Sequence, residues 1–120
     1  LFRSYGSGYK NITDKLTGLQ DYMFSIVIEN TKQNFYFTEK LLDCFVTGTV
    51  PIYWGCPSIN KFFDEKGIIT FNTIDELDFI LKNINVERYL DMKSAIKNNF
   101  EIAMKYKTAE DYLINYEILK

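Results

Sequence analysis

The 120-residue chain fits one domain, large enough for a single core that buries roughly two thirds of the unfolded surface. Its 47% apolar, 17% aromatic and 25% charged composition is that of a folded globular protein, and no run of about 18 apolar residues marks a membrane span. A net charge of -2 gives no reason to expect nucleic acid or an anionic membrane surface as partner. Cys44 and Cys56 are too few for a disulfide scaffold. With no histidine in the chain, neither a metal site nor a Ser/His or Cys/His nucleophile–base pair is expected. The first residue is leucine, set directly in an apolar segment without a leader, so a fragment of something longer is expected.

Leu1 to Tyr5 is apolar and aromatic and reads as a first or edge strand, followed by the turn residues Gly6-Ser7-Gly8. A lone G-x-G is a weak phosphate signature, and an ordinary turn is the preferred reading. Asn11-Ile12-Thr13 matches a glycosylation sequon but is given no weight. Thr13 or Asp14 can cap a short helix through Asp21, with Leu16 and Leu19 on one face.

Met23 to Ile28 is continuously apolar apart from Ser25, the pattern of a strand covered on both faces in a parallel sheet. Glu29 and Asn30 fall at its carboxyl end, and the polar run Thr31 to Asn34 forms a loop. Thr38 then caps a helix whose Leu41, Leu42, Phe45 and Val46 recur at helical spacing, with Cys44 as a small core residue. Gly48 stops that helix and Val50 to Trp54 is the next buried strand. Pro51 lies near its start, where a missing N–H is best tolerated at an edge or a strand opening.

Gly55-Cys56-Pro57 turns the chain into a short helix, Ser58 to Phe63, and Gly67 releases it into a brief strand, Ile68 to Phe71. Thr73 caps a helix through Ile84 with the stripe Leu77, Ile80, Leu81 and Ile84. Val86 to Lys120 has helical periodicity in two pieces, broken near Lys107 and Thr108. Its apolar positions include Tyr89, Leu90, Met92, Ile96, Phe100, Ala103 and Met104, then Tyr112, Leu113, Tyr116 and Leu119. They read as packing faces.

This alternation predicts an α/β fold: a doubly wound, Rossmann-like parallel sheet flanked by helices over residues 1–85, with a helical C-terminal extension, 86–120, packed on it. Right-handed crossovers put the strand ends on one rim, where ligands bind. Glu29-Asn30, Tyr36-Thr38-Glu39-Lys40 and Trp54-Gly55 would all face that crevice.

The start of the helix after Thr38 offers backbone N–H groups and the positive end of a dipole, and Lys40 adds a full charge, a combination suited to phosphate. Unpaired, Lys40 runs against the dipole by a few tenths of a kcal/mol. The bland alternatives are an acidic partner or solvent. Glu39 has the wrong sign for phosphate but suits the two hydroxyls of a ribose, as well as the first turn of any helix. Asn30 and Tyr36 can donate to phosphate oxygens, or serve as a turn residue and a packed aromatic.

Taken together, FSIVIEN, then Tyr36-Phe37-Thr38-Glu39-Lys40, Asp43 and the run Gly48-Thr49-Val50-Pro51-Ile52-Tyr53-Trp54-Gly55 with Pro57 resemble the C-terminal donor-binding region of the alpha-1,3/1,4-fucosyltransferases, glycosyltransferase family 10. The E-N, Y-x-T-E-K and V-P-I-Y-W-G-x-P pieces stand in the family's order and spacing. The resemblance is closest from Tyr22 to Phe71, weaker before it and negligible over the helical tail.

The resemblance implies the C-terminal half of a two-domain GT-B glycosyltransferase, transferring fucose from GDP-fucose to a sugar hydroxyl with inversion and requiring no metal or other cofactor. By position it implies Lys40 on the diphosphate, Glu39 on the ribose hydroxyls, and Asn30 and Tyr36 on phosphate or fucose, beside the cap residue Thr38. In the family an arginine that neutralises diphosphate lies upstream of the segment matching Leu1, and Arg3 does not align with it. The family's carboxylate base and most of its acceptor recognition belong to the N-terminal domain. No catalytic residue is therefore expected among these 120, and the chain alone is expected to bind nucleotide weakly and transfer no sugar. The glycan acceptor would be held through that other domain.

Two further readings of the residues stay open: a glycosyltransferase using another nucleotide sugar, and a non-catalytic α/β binding or interaction domain. Location is open as well. An abundance of Lys, Ile and Asn points to a microbial cytoplasmic or peripheral membrane enzyme, whereas an animal or plant relative would work in the Golgi lumen.

Overall fold

The computed structural model of the chain describes residues 2–5 and 23–119, with side chains from 23 to 108. Four strands, β1 (Phe2–Tyr5), β2 (Phe24–Ile28), β3 (Val50–Trp54) and β4 (Ile69–Thr70), form a parallel sheet in sequential order. Among the described residues there are four helices, α1 (Glu39–Val46) between β2 and β3, and α2 (Ile74–Asn83), α3 (Val86–Asp91) and α4 (Lys93–Leu119) after β4. The expected G-x-G turn, the sequon and the helix ending at Asp21 lie outside the described residues.

The apolar runs of β2 and β3 are continuous because helices cover both faces of the sheet. Alternation along each strand sorts their side chains into two clusters. Val27 and Tyr53 pack with Leu41, Leu42, Cys44 and Phe45 of α1 and with Ala103 of α4. Phe24, Ile26, Val50 and Ile52 pack on the other face against Leu77, Ile80, Leu81 and Ile84, joined by Tyr89, Met92 and Ile96. A helix as short as α1 is marginal alone in water. It persists because Leu41, Leu42 and Phe45 are buried, each contributing about 1.5–3 kcal/mol. Gly48, at φ 69, ends the segment in the left-handed conformation that glycine adopts without a Cβ penalty.

Strands β2 and β3 pair from Phe24 opposite Val50 to Ile28 opposite Trp54, so their carboxyl ends finish level. The Glu29 N–H then donates to the Trp54 carbonyl at 3.0 Å. Pro51 lies inside a central strand rather than at an edge. The Val50 N–H faces β2, donating to the Met23 carbonyl, so the missing N–H of Pro51 falls on the β4 side. That ladder begins only at Ile52 opposite Ile69, and no bond is lost.

Three expectations need correction. The helix over Ser58 to Phe63 contracts to a 3₁₀ turn, Ile59–Lys61, followed by a second, Glu65–Gly67. The chain is diverted there because Asn99, fully buried in α4, accepts from the Asp64 N–H at 2.7 Å and donates to the Asp64 carbonyl at 3.0 Å. The strand over Ile68 to Phe71 has only Ile69 and Thr70 in its ladder, although the Phe71 N–H still reaches the Tyr53 carbonyl.

The third concerns the tail, which breaks at Met92 rather than near Lys107 and Thr108. The Thr108 hydroxyl bonds back to the Met104 carbonyl at 2.9 Å, and the helix runs on. Of the apolar positions expected to pack along this tail, Leu90, Phe100 and Met104 are exposed. Tyr89, Met92, Ile96 and Ala103 pack as expected, and helix α4 also turns Ala95 and Asn99 inward, where small side chains allow a close approach.

Candidate functional site

Polar residues gather where β2 and β3 end and α1 begins. Glu29 follows Val27 by two residues and so points to the same face of the sheet, under the start of α1. It is 2% exposed, a buried carboxylate that must be hydrogen-bonded. Glu29 Oε2 accepts from the Thr38 N–H at 2.9 Å and from the Tyr53 hydroxyl at 3.0 Å, and Oε1 accepts from the Thr38 hydroxyl at 2.6 Å. Tyr53 Oη in turn accepts from the Cys56 N–H at 3.2 Å. Burial, with Glu29 adding to it, pushes the Tyr53 phenol well above its ordinary range, so it stays a neutral donor.

Gly55 closes over this pair. A Cβ there would meet Glu29 Cγ at 2.5 Å and Tyr53 Oη at 2.7 Å, so only glycine lets the turn after β3 lie so close.

The five residues expected from the sequence are spread over this rim. Thr38 has extended backbone and caps α1, its Oγ1 accepting from the Lys40 N–H at 3.4 Å. Glu39 is exposed in the first turn. Lys40 folds back over the end of β2, Nζ donating to the Ile28 carbonyl at 3.3 Å, and makes no ion pair among the described residues. Asn30 is exposed beyond β2, and Tyr36 is half-buried in the loop, where its N–H donates to the Gln33 carbonyl at 3.4 Å. The supply of free amides at the helix start is smaller than expected. The Thr38 N–H is taken by Glu29 and the Lys40 N–H by Thr38.

Phe35, Lys32 and Asn72, also at this rim, were not singled out from sequence. Phe35 holds φ 62, a left-handed conformation costly for a bulky side chain, with its N–H donating to Ser58 Oγ at 3.0 Å and its ring 64% exposed. A cavity of about 300 Å³ beside the ends of β3 and β4 is lined by Lys32, Gly55, Cys56, Pro57 and Asn72 among others, and by none of the five expected residues. Lys32 and Asn72 hydrogen-bond to each other, joining the loop after β2 to the loop after β4. Asn72 and Lys32 lacked a local signal because their meeting depends on strand order. Glu29 was expected at the crevice, and its two-residue step from Val27 is the local sign that it turns inward there.

Among the described residues no group of three His, Cys, Asp or Glu side chains is placed to hold a metal ion, and no helix is long and apolar enough to cross a membrane.

Residues 3–114 match the model of the C-terminal part of glycosyltransferase family 10 (fucosyltransferase). The chain belongs to this family. It is 38% identical over 90 residues to the alpha-(1,3)-fucosyltransferase FucT of Helicobacter pylori, covering 71% of this chain and 19% of that protein. A putative fucosyltransferase-like protein of Arabidopsis thaliana is 30% identical over 112 residues, covering 90% of this chain and 21% of its own length. A crystal structure of an alpha1,3-fucosyltransferase with GDP-fucose superposes with a TM-score of 0.60 at 38% identity, over 73% of this chain and 27% of that one. Another, with GDP, gives 0.59 at 32% identity, over 83% and 34%. The chain thus spans about a fifth of the length of these two relatives.

Proposed function

We propose that this chain is the donor-binding part of a fucosyltransferase and holds GDP-fucose on the rim formed by β2, β3 and the start of α1. The observation that carries the reading is the family match over residues 3–114, coupled to a lysine at the α1 start that is bonded to a strand carbonyl rather than to an acid. The Lys40 ammonium binds the diphosphate, and the exposed Glu39 carboxylate accepts from the ribose hydroxyls. Asn30 and Tyr36 contact phosphate or fucose, and Thr38 fixes the first turn from which Glu39 and Lys40 project.

In the transfer, an acceptor hydroxyl oxygen bonds to the fucose anomeric carbon while the bond from that carbon to the diphosphate breaks, its electron pair leaving with GDP. Configuration inverts. The hydroxyl proton goes to a carboxylate supplied from outside these residues, and the glycan acceptor is held there too. Residues 1–85 form the nucleotide-sugar domain in this reading, with 86–120 as its helical extension.

Calorimetric titration of the chain with GDP, GDP-fucose, UDP and ADP tests this. Preference for GDP and GDP-fucose is the expected result. Preference for UDP or ADP would assign another nucleotide sugar, and absence of binding by any of the four would remove the nucleotide reading.

A further inference from the structure

The two motif segments of this site, the helix start at Thr38–Lys40 and the turn at Gly55–Pro57, make no direct hydrogen bond to each other among the described residues. They are joined through one buried side chain. Glu29 takes both donors of Thr38 on one side and the Tyr53 hydroxyl on the other, and Tyr53 Oη holds the Cys56 N–H. The chain of contacts runs from the first turn of α1 through the end of β2 to the turn after β3. Gly55 is pressed onto its middle, with room for no Cβ.

We infer that Glu29 is a positioning residue for nucleotide binding, holding the α1 start and the Gly55–Pro57 turn in register by way of Thr38 and Tyr53. The inference rests on the donor-site reading above. Every group aimed at the Glu29 oxygens is a donor, so an acceptor-only carboxylate satisfies all three, and none of them is a cation. A carboxylate at 2% exposure without a charged partner is a costly choice for packing alone, since an apolar side chain would fill the space without desolvating a charge. What it achieves is direction. It fixes the Thr38 backbone and hydroxyl together, and so sets the angle at which Glu39 and Lys40 leave the rim.

The test uses Glu29→Ala, Glu29→Gln and Tyr53→Phe in the 120-residue chain, read by amide chemical shifts with and without GDP. Without ligand, Glu29→Ala should move the amide signals of Thr38 and Cys56 together, and Tyr53→Phe should move that of Cys56. With GDP, Glu29→Ala should weaken binding about tenfold or more. Glu29→Gln, whose carbonyl can still accept from the Thr38 N–H and Tyr53, should stay within about threefold. A residue that only stabilised the fold would lower the melting temperature and leave the affinity of the folded protein unchanged. Unmoved Cys56 in the ligand-free Glu29→Ala chain, or a Glu29→Ala affinity for GDP within about twofold of the parent, overturns the inference. If the parent chain binds no GDP, the donor-site reading fails by itself, and the ligand-free shifts still decide whether Glu29 links the two segments.

Discussion

Lys107 Nζ lies 3.1 Å from Asp43 Oδ1, joining the long C-terminal helix to α1, the helix that presents Glu39 and Lys40. The Asp43 side chain is 5% exposed and that of Lys107 34%. The pair therefore sits at the edge of the core, where a charge-assisted bond is worth more than on the open surface. Replacing Lys107 by methionine keeps the aliphatic packing and removes the charge. We expect a loss of about 1–2 kcal/mol, below the full value for a buried pair because Lys107 is partly solvated. A lower urea midpoint with an unchanged slope would register it.

Gly55→Ala should be more damaging than its size indicates. The added methyl would lie 2.5 Å from Glu29 Cγ and 2.7 Å from Tyr53 Oη, and neither side chain is free to move away, since the Glu29 carboxylate and the Tyr53 hydroxyl are held by hydrogen bonds. Overpacking of this kind costs about 1–3 kcal/mol. Thermal unfolding measures that cost, and a GDP titration of the same variant should show weakened binding because the turn must lift from the rim.

Asn99 presents a different vulnerability, that of a buried polar group matched on both sides. Its amide satisfies the N–H and the carbonyl of Asp64, and Gly67 leaves space for it, a Cβ there falling 2.5 Å from Asn99 Nδ2. Asn99→Leu would strand the two Asp64 backbone groups, costing about 2–4 kcal/mol. Asn99→Asp should also destabilise, because a carboxylate oxygen would face the Asp64 carbonyl. Equal stability of both variants and the parent in chemical denaturation would contradict this account.

What could be read from the sequence follows from range of interaction. The bounds of β3, the Thr38 and Thr73 caps and the stop at Gly48 are set by neighbours in the chain, and the local pattern placed them correctly. The 3₁₀ turns after Pro57 depend on Asn99, a partner 35 residues from Asp64, and the seat of the tail helix on α1 includes the Lys107–Asp43 pair, 64 residues apart, contacts for which periodicity holds no sign. The same applies to the site. Lys40 and Glu39 stood out as charges at a helix start, whereas Glu29 was placed at the crevice without its bridging role, its three donors being visible only once α1 lies across β2.

Alkaline pH should unfold the protein earlier than its composition alone predicts. Burial pushes the Tyr53 phenol above its ordinary 10.0, and burial followed by the nearby Asp43 charge pushes the Cys44 thiol above its ordinary 9.0. Both groups hold their protons more tightly folded than unfolded. The stability they supply is fully present below those ordinary values and is lost as pH rises through them toward the folded values. Melting temperatures measured from neutral to strongly alkaline pH should fall for the parent chain. Tyr53→Phe should start lower, for want of its hydrogen bonds, and fall less steeply.

In the donor-site proposal Lys40 and Glu39 address different parts of the nucleotide, and ligand variants separate them. Lys40→Ala should weaken GDP binding by about 1–3 kcal/mol, as for a lost charge-assisted bond, with a smaller effect on GMP, which lacks the second phosphate. Added salt should weaken GDP binding to the parent more than to Lys40→Ala, because an exposed ammonium–phosphate contact is screened. Glu39→Ala should also cost about 1–3 kcal/mol with GDP, yet little with 2′,3′-dideoxy-GDP, which has no ribose hydroxyls to donate. A Glu39→Ala deficit of equal size for GDP and its dideoxy form would detach Glu39 from the ribose. Its negative charge would then be explained as a favourable acid in the first turn of α1, where the helix dipole alone accounts for it.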